Sequence, residues 1–146
     1  MLRATLTRWH YGKTCTIGIL RWGNDKYVYT MEDGWHVYSD EELPGGPRPL
    51  RIEVAPKQAV RSAGKLVSPE PERDFDQAFA QVTSFFKTTA TFRLPVSIDA
   101  GAAPGPAVLN LEVTFQACDG RMCLPGRVVK LSAPVTIARA PDRPKK

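Results

Sequence analysis

The residues of this 146-residue chain best suited to chemistry sit together in one short stretch, Phe115-Gln116-Ala117-Cys118-Asp119-Gly120-Arg121-Met122-Cys123-Leu124-Pro125. Asp119-Gly120 tolerates positive φ, so a strand ending near Cys118 can turn back toward another beginning near Arg127. Two sulfurs across the neck of such a hairpin can reach the Cα separation of roughly 4.4 to 6.8 Å that a disulfide requires. Three chemistries fit the pair. A structural disulfide is the plainest, but a ring of about six residues contributes only about 2 kcal/mol by chain entropy. A chain of this length buries enough apolar surface to fold without it. A soft-metal site would use Cys118, Met122, Cys123 and His36 for copper. Its spacing is unlike C-x2-C, and no second Cys/His pair stands at a suitable distance. Thiol-disulfide exchange fits best, since a short, accessible ring is more oxidising and more easily attacked than a buried bridge. Arg121 beside the pair favours a thiolate, weakly after salt screening. Cys15, in phase with Ile17 and Ile19, is expected on an apolar strand face as a small buried hydrophobe.

The elements that must hold this pair alternate with a period of two. Leu109, Leu111, Val113, Phe115 and Ala117 interleave with Asn110, Glu112, Thr114 and Gln116, the pattern of a strand with one face in a core. Ala90, Phe92, Leu94, Val96 and Ile98 repeat it, although Pro95 marks an edge or a bulge. Shorter runs lie at Leu50 to Val54, Trp35 to Tyr38 and Val129 to Ile137. Further strands are expected around Ala4 to Arg8, Thr14 to Leu20 and Lys26 to Met31. Turn signals separate them at Gly23-Asn24-Asp25, Glu32-Asp33-Gly34, Pro44-Gly45-Gly46-Pro47, Gly101 to Pro106 and Asp119-Gly120. Short strands between turns predict an all-β sandwich or barrel. From Ser68 to Ser84 the alternation fails, and Pro69, Pro71 and the charges that follow predict a surface loop with room for one helical turn around Asp76 to Gln81. Long loops often carry function, which makes this segment a candidate lid.

Length favours a single domain over residues 1–139, with 140–146 as a disordered tail or the start of a linker. The formal charge of +5 comes from basic residues scattered along the chain. That distribution argues against a nucleic-acid footprint and suits encounter with acidic protein partners. No run approaches the roughly 18 apolar residues of a membrane-spanning helix. Met1 to His10 lacks the continuous apolar core of a secretory signal, because Arg3, Thr5, Thr7 and Arg8 interrupt it.

The cysteine hairpin from Val113 to Pro125 resembles the active-site hairpin of the amino-terminal periplasmic domain of DsbD, the bacterial thiol:disulfide interchange protein. Met31 to Ser39, Leu50 to Glu53 and Phe92 to Val96 are similar to other strands of that family, in the same order. The resemblance runs from about Gly12 to Ile137. It implies an immunoglobulin-like β-sandwich with an active-site hairpin and a cap loop. It also implies protein-disulfide reductase activity, as one domain of a relay that works without a cofactor. Such a domain takes electrons from a thioredoxin-like donor domain. It passes them to periplasmic disulfide isomerases or cytochrome c maturation thioredoxins, and it touches the membrane only through an attached domain. By the same resemblance Cys123 forms the mixed disulfide with a partner, Cys118 resolves it, and Phe85 or Phe86, with Phe79 as an outsider, caps the pair. His36 and Tyr38 correspond to aromatic positions near the active site. Gly126 stands where many relatives carry a second proline, which implies a looser return strand. The rival readings are an immunoglobulin-like periplasmic binding module with a structural disulfide, and copper handling.

Overall fold

The computed structural model describes residues 6–11, 15–22, 26–30 and 34–138, the first three segments through their backbone alone. Among the described residues every regular element is a strand. The amino-terminal strands are β1 (Leu6–Tyr11), β2 (Cys15–Trp22), β3 (Lys26–Thr30) and β4 (His36–Tyr38). Next come β5 (Arg51–Val54), β6 (Val60–Ser62), β7 (Glu72–Asp76), β8 (Gln81–Lys87) and β9 (Thr89–Arg93). The chain closes with β10 (Val96–Ile98), β11 (Gly105–Phe115), β12 (Ala117–Cys118) and β13 (Arg127–Ile137). The side chain of Cys15, residues 31–33 and the tail 140–146 lie outside the described residues.

The longest alternating run forms the central strand of its sheet. β11 is antiparallel to β13 along its whole length and to β5 on its other edge, in the order β13-β11-β5. Its apolar residues Leu109, Leu111, Val113 and Phe115 are all buried, as the period-two pattern requires. They join Trp35, Val37, Leu50, Ile52, Phe86 and Phe92 in one core. Fully burying an aliphatic or phenyl side chain is worth about 1.5 to 3 kcal/mol, so this shared core is the main source of stability. A second sheet has the order β12-β4-β8-β7, a third β1-β2-β3-β9, and β6 pairs with β10.

The chain changes sheets at short breaks, among them Thr88 between β8 and β9, Pro95 and Gln116. Pro95 has no N–H to donate to a ladder, and the run expected from Ala90 to Ile98 breaks there. β9 pairs with β3 while β10 pairs with β6, and the Pro95 carbonyl accepts the Ala63 N–H at 2.8 Å. Gln116 makes a further transfer, between β11 and β12, which belong to different sheets.

The segment 68–84 is not the loop its sequence predicts. β7 and β8 form an antiparallel hairpin with Asp76 opposite Gln81 and Glu72 opposite Phe85, and no helical turn forms around Asp76 to Gln81. Glu72, Arg73, Asp74 and Phe75 are all exposed, so neither face of β7 meets a core that would impose alternation. The hairpin is fastened to the chain after β4 through Glu41, whose carboxylate accepts the Ser84 hydroxyl at 2.6 Å and pairs with Arg73 at 3.2 Å. The turn expected from Gly101 to Pro106 also ends early, since Gly105 and Pro106 already pair with Ile137 and Thr136.

Ala80 closes the hairpin turn with φ at +53°, where a β-carbon is unfavourable. Ala80→Gly is therefore expected to raise stability by about 0.5 to 1 kcal/mol, measured by urea denaturation at unchanged m-value.

Candidate functional site

Backbone pairing builds the cysteine site. Beyond Gln116, Ala117 lies opposite Val37 and Cys118 opposite His36. The Gln116 side chain accepts the Arg48 N–H at 2.8 Å and donates to the Leu124 carbonyl at 3.2 Å, so it joins the outgoing chain, the return chain and the loop before β5. Between the cysteines, Asp119 accepts the backbone N–H groups of Arg121 and Met122 at 2.9 and 2.8 Å. These donors, that of Met122 foremost, hold the Asp119 carboxyl below its ordinary range. Gly120 takes φ +90°, and the Leu124 N–H returns to the Ala117 carbonyl at 2.9 Å. Cys118 and Cys123 are joined by a disulfide, with their Cα atoms 4.1 Å apart. The return strand is not left open at Gly126. A β-carbon there would stand 2.6 Å from Cδ of Arg48, whose side chain occupies the space.

The two sulfurs differ in surroundings. Cys118 is 2% exposed, packed with Tyr38 and Phe85, whereas Cys123 is only partly buried at the edge of that cluster. Both line a groove of about 530 Å³ over the β12-β4-β8-β7 sheet, walled by β7 with its turn on one side and by the cysteine hairpin on the other. Phe75 and Met122 stand exposed on opposite walls. On the groove floor, the Tyr38 hydroxyl donates to Asp76 at 2.5 Å and lies 3.8 Å from Cys123 Sγ. Asp76 also accepts the Thr83 hydroxyl at 3.5 Å and, through its other oxygen, the Ala78 N–H at 2.9 Å. Burial, then the bond to Asp76, pushes the Tyr38 phenol far above its ordinary pKa, so it remains a proton donor. His36 packs edge-on against Tyr38 at 5.1 Å between ring centres and tilted against Phe85 at 4.9 Å. Burial lowers its pKa below 6.5; Lys87 acts in the same direction, while Asp76 and Asp119 oppose it.

Of the residues singled out from sequence, Cys118, Cys123, His36, Tyr38 and Phe85 line this one groove. Phe86 does not. It follows Phe85 on the same strand, so it points to the other side of the sheet, into the main core, edge-on to Phe92 at 5.2 Å. Phe79, half-buried in the hairpin turn, packs edge-on against Tyr38 at 5.7 Å and belongs to the cluster that includes Cys123. Asp76, Thr83 and Lys87 were not singled out, because their place in the groove depends on a hairpin that the local pattern does not reveal. Among the described residues no group of three or more His, Cys, Asp or Glu side chains is arranged to hold a metal ion.

Residues 25–133 match the family described as thiol:disulfide interchange protein DsbD, N-terminal. The chain belongs to the DsbD N-terminal domain family. The reduced DsbD N-terminal domain of Neisseria meningitidis has a similar fold, with a TM-score of 0.56 at 16% identity over 84% of this chain and 90% of that one. Among curated proteins none matches. As expected of a DsbD N-terminal domain, the fold is all-β and immunoglobulin-like, and a disulfide joins the two hairpin cysteines. Membership in this family and the Cys118–Cys123 bond agree with thiol-disulfide interchange as the general activity.

Within this DsbD N-terminal domain, the Tyr38 hydroxyl ties the hairpin turn to the groove floor. Tyr38→Phe removes a hydrogen bond to a carboxylate and is expected to destabilise the domain by about 1.5 to 3 kcal/mol with the fold retained, measured by denaturant unfolding of the oxidised protein.

Proposed function

We propose that this domain relays electrons in the periplasm, from a thioredoxin-like donor domain to oxidised periplasmic proteins, through the Cys118–Cys123 pair. The observation that carries the reading is the unequal burial of two cysteines that line one groove: Cys118 is almost wholly buried, and Cys123 is partly open. An incoming thiolate opens the bond at Cys123, and the electron pair of the broken bond leaves on Cys118. The donor's second thiolate then releases Cys123, and both sulfurs end as thiols. Run in reverse against an oxidised acceptor, Cys123 attacks, and Cys118 resolves the mixed disulfide. The sulfurs carry both electrons, so the cycle needs no cofactor.

The acceptors we propose are disulfide isomerases or cytochrome c maturation thioredoxins. Residues 1–139 act as one exchange domain, which reaches the membrane only through an attached domain. Phe79 and Phe85 form the cap over the pair. Their packing around Tyr38 and Cys118 supports that assignment over Phe86, which packs in the main core.

Cys118→Ser is expected to accumulate a mixed disulfide with a thioredoxin-like partner, and Cys123→Ser is expected to trap none, read on non-reducing gels. Trapping by Cys123→Ser alone would reverse the roles. A reduction potential below about −300 mV for the wild-type pair would mark a structural bond and defeat the relay. Alkylation of the reduced pair is expected to be faster in Phe79→Ala and Phe85→Ala and unchanged in Phe86→Ala, followed by mass spectrometry under conditions where each variant is folded.

A further inference from the structure

We propose that His36 carries the proton for Cys118 during exchange, an inference that rests on the relay just described. Its ground is the ladder. Cys118, His36 and Lys87 lie side by side on β12, β4 and β8, with His36 directly opposite both neighbours. All three line the groove. Residues directly opposite on one face of a sheet hold their β-carbons about 4.5 to 5.5 Å apart, which puts the imidazole within side-chain reach of Cys118 without any rearrangement of the backbone.

The need for such a group follows from burial. A thiolate at Cys118, 2% exposed, is taken out of water when the disulfide opens, and the same burial opposes ionisation of the thiol when it must attack. Tyr38 does not answer that need, because its hydroxyl proton is committed to Asp76 and burial holds it on the oxygen. His36 is partly open to the groove and can exchange its proton with water or with a partner. The titratable and charged groups that line the groove with it are Cys118 on β12, Lys87 on β8, Asp74 and Asp76 on β7, Asp119 and Arg121 in the cysteine hairpin, and Tyr38 on its own strand; of these, Lys87, Asp76 and Asp119 act on its charge. Desolvation outweighs the two carboxylates that favour the cation, and the ring is therefore a neutral base at pH 7.

With Cys123 joined to an acceptor sulfur, the Cys118 S–H gives its proton to the His36 imidazole as its sulfur bonds to Cys123. The Cys123–acceptor bond breaks, and its electron pair leaves on the acceptor sulfur. His36 then returns the proton to that sulfur or to water. In the opposite direction the imidazolium protonates the Cys118 thiolate as the disulfide is opened. Acidification below the His36 pKa removes the base and slows release of the acceptor.

A single-turnover measurement tests this. The reduced domain in excess is mixed with 5,5′-dithiobis(2-nitrobenzoate), and release of the second thionitrobenzoate from Cys123 by Cys118 is followed from about pH 5 to about pH 8.5, the range in which a histidine titrates. Wild type is expected to show a plateau above an inflection that lies below pH 6.5. His36→Tyr and His36→Phe, which keep a ring on the sheet, are expected to lose the inflection and to release the chromophore about a hundredfold more slowly at pH 7. Their rates should instead rise about tenfold per pH unit, as for an unassisted thiol. Identical profiles in wild type and both variants would overturn the role of His36 and leave the relay standing. Failure of the wild-type pair to expel the chromophore at any pH would overturn the relay itself. NMR provides a readout that does not depend on how the variants fold. The His36 titration midpoint must differ between oxidised and reduced wild type, and equal midpoints would overturn the proposal.

Discussion

The site depends on the pairing of β12 with β4, a ladder of two residues. It forms only because β11, held on both edges by β13 and β5, delivers the chain to Gln116 at a fixed height and direction. Sheet register is discrete, and a slip of one residue would send Cys118 to the core side and Ala117 to the groove. The apolar face of β11 opposes such a slip, since Leu109, Leu111, Val113 and Phe115 would all leave the core together. The placement of one sulfur of the disulfide is thus secured by burial along the preceding strand.

Around that ladder the two faces of one sheet are put to different uses. Val37, Ala117 and Phe86 face inward and belong to the main core, while Tyr38, Cys118 and Phe85 form a separate small cluster. Alternation along three short strands produces this division with no dedicated loop. The β7-β8 hairpin then supplies what the strands lack, a carboxylate for the Tyr38 phenol and an aromatic side chain at its turn.

Much of this was legible in the residues. The period-two run of β11, the turn at Asp119-Gly120 and an interruption at Pro95 all follow from local chemistry, although the sequence marks Pro95 as an edge or a bulge and not as a change of sheet. β7 was not legible, because a strand exposed on both faces, as at Glu72 to Phe75, carries no hydrophobic period and reads as a polar loop. The choice between Phe85 and Phe86 was closed for a different reason. Two adjacent phenylalanines on a strand must face opposite ways, and only the register with β4, which sets Phe85 against Tyr38, decides which way each points. Asp76 was hidden by distance, since its partner Tyr38 is 38 positions away in the chain.

Arg48, lying against Gly126, changes what the absent proline means. A pyrrolidine ring stiffens a return strand covalently and permanently, in the unfolded chain as in the native one. Here the same place is braced by a guanidinium arm from a separate loop, which is present only once the loop before β5 has docked. The segment after Cys123 therefore has more freedom before tertiary assembly than a proline would allow, and the firmness of its final geometry depends on completion of the fold around it.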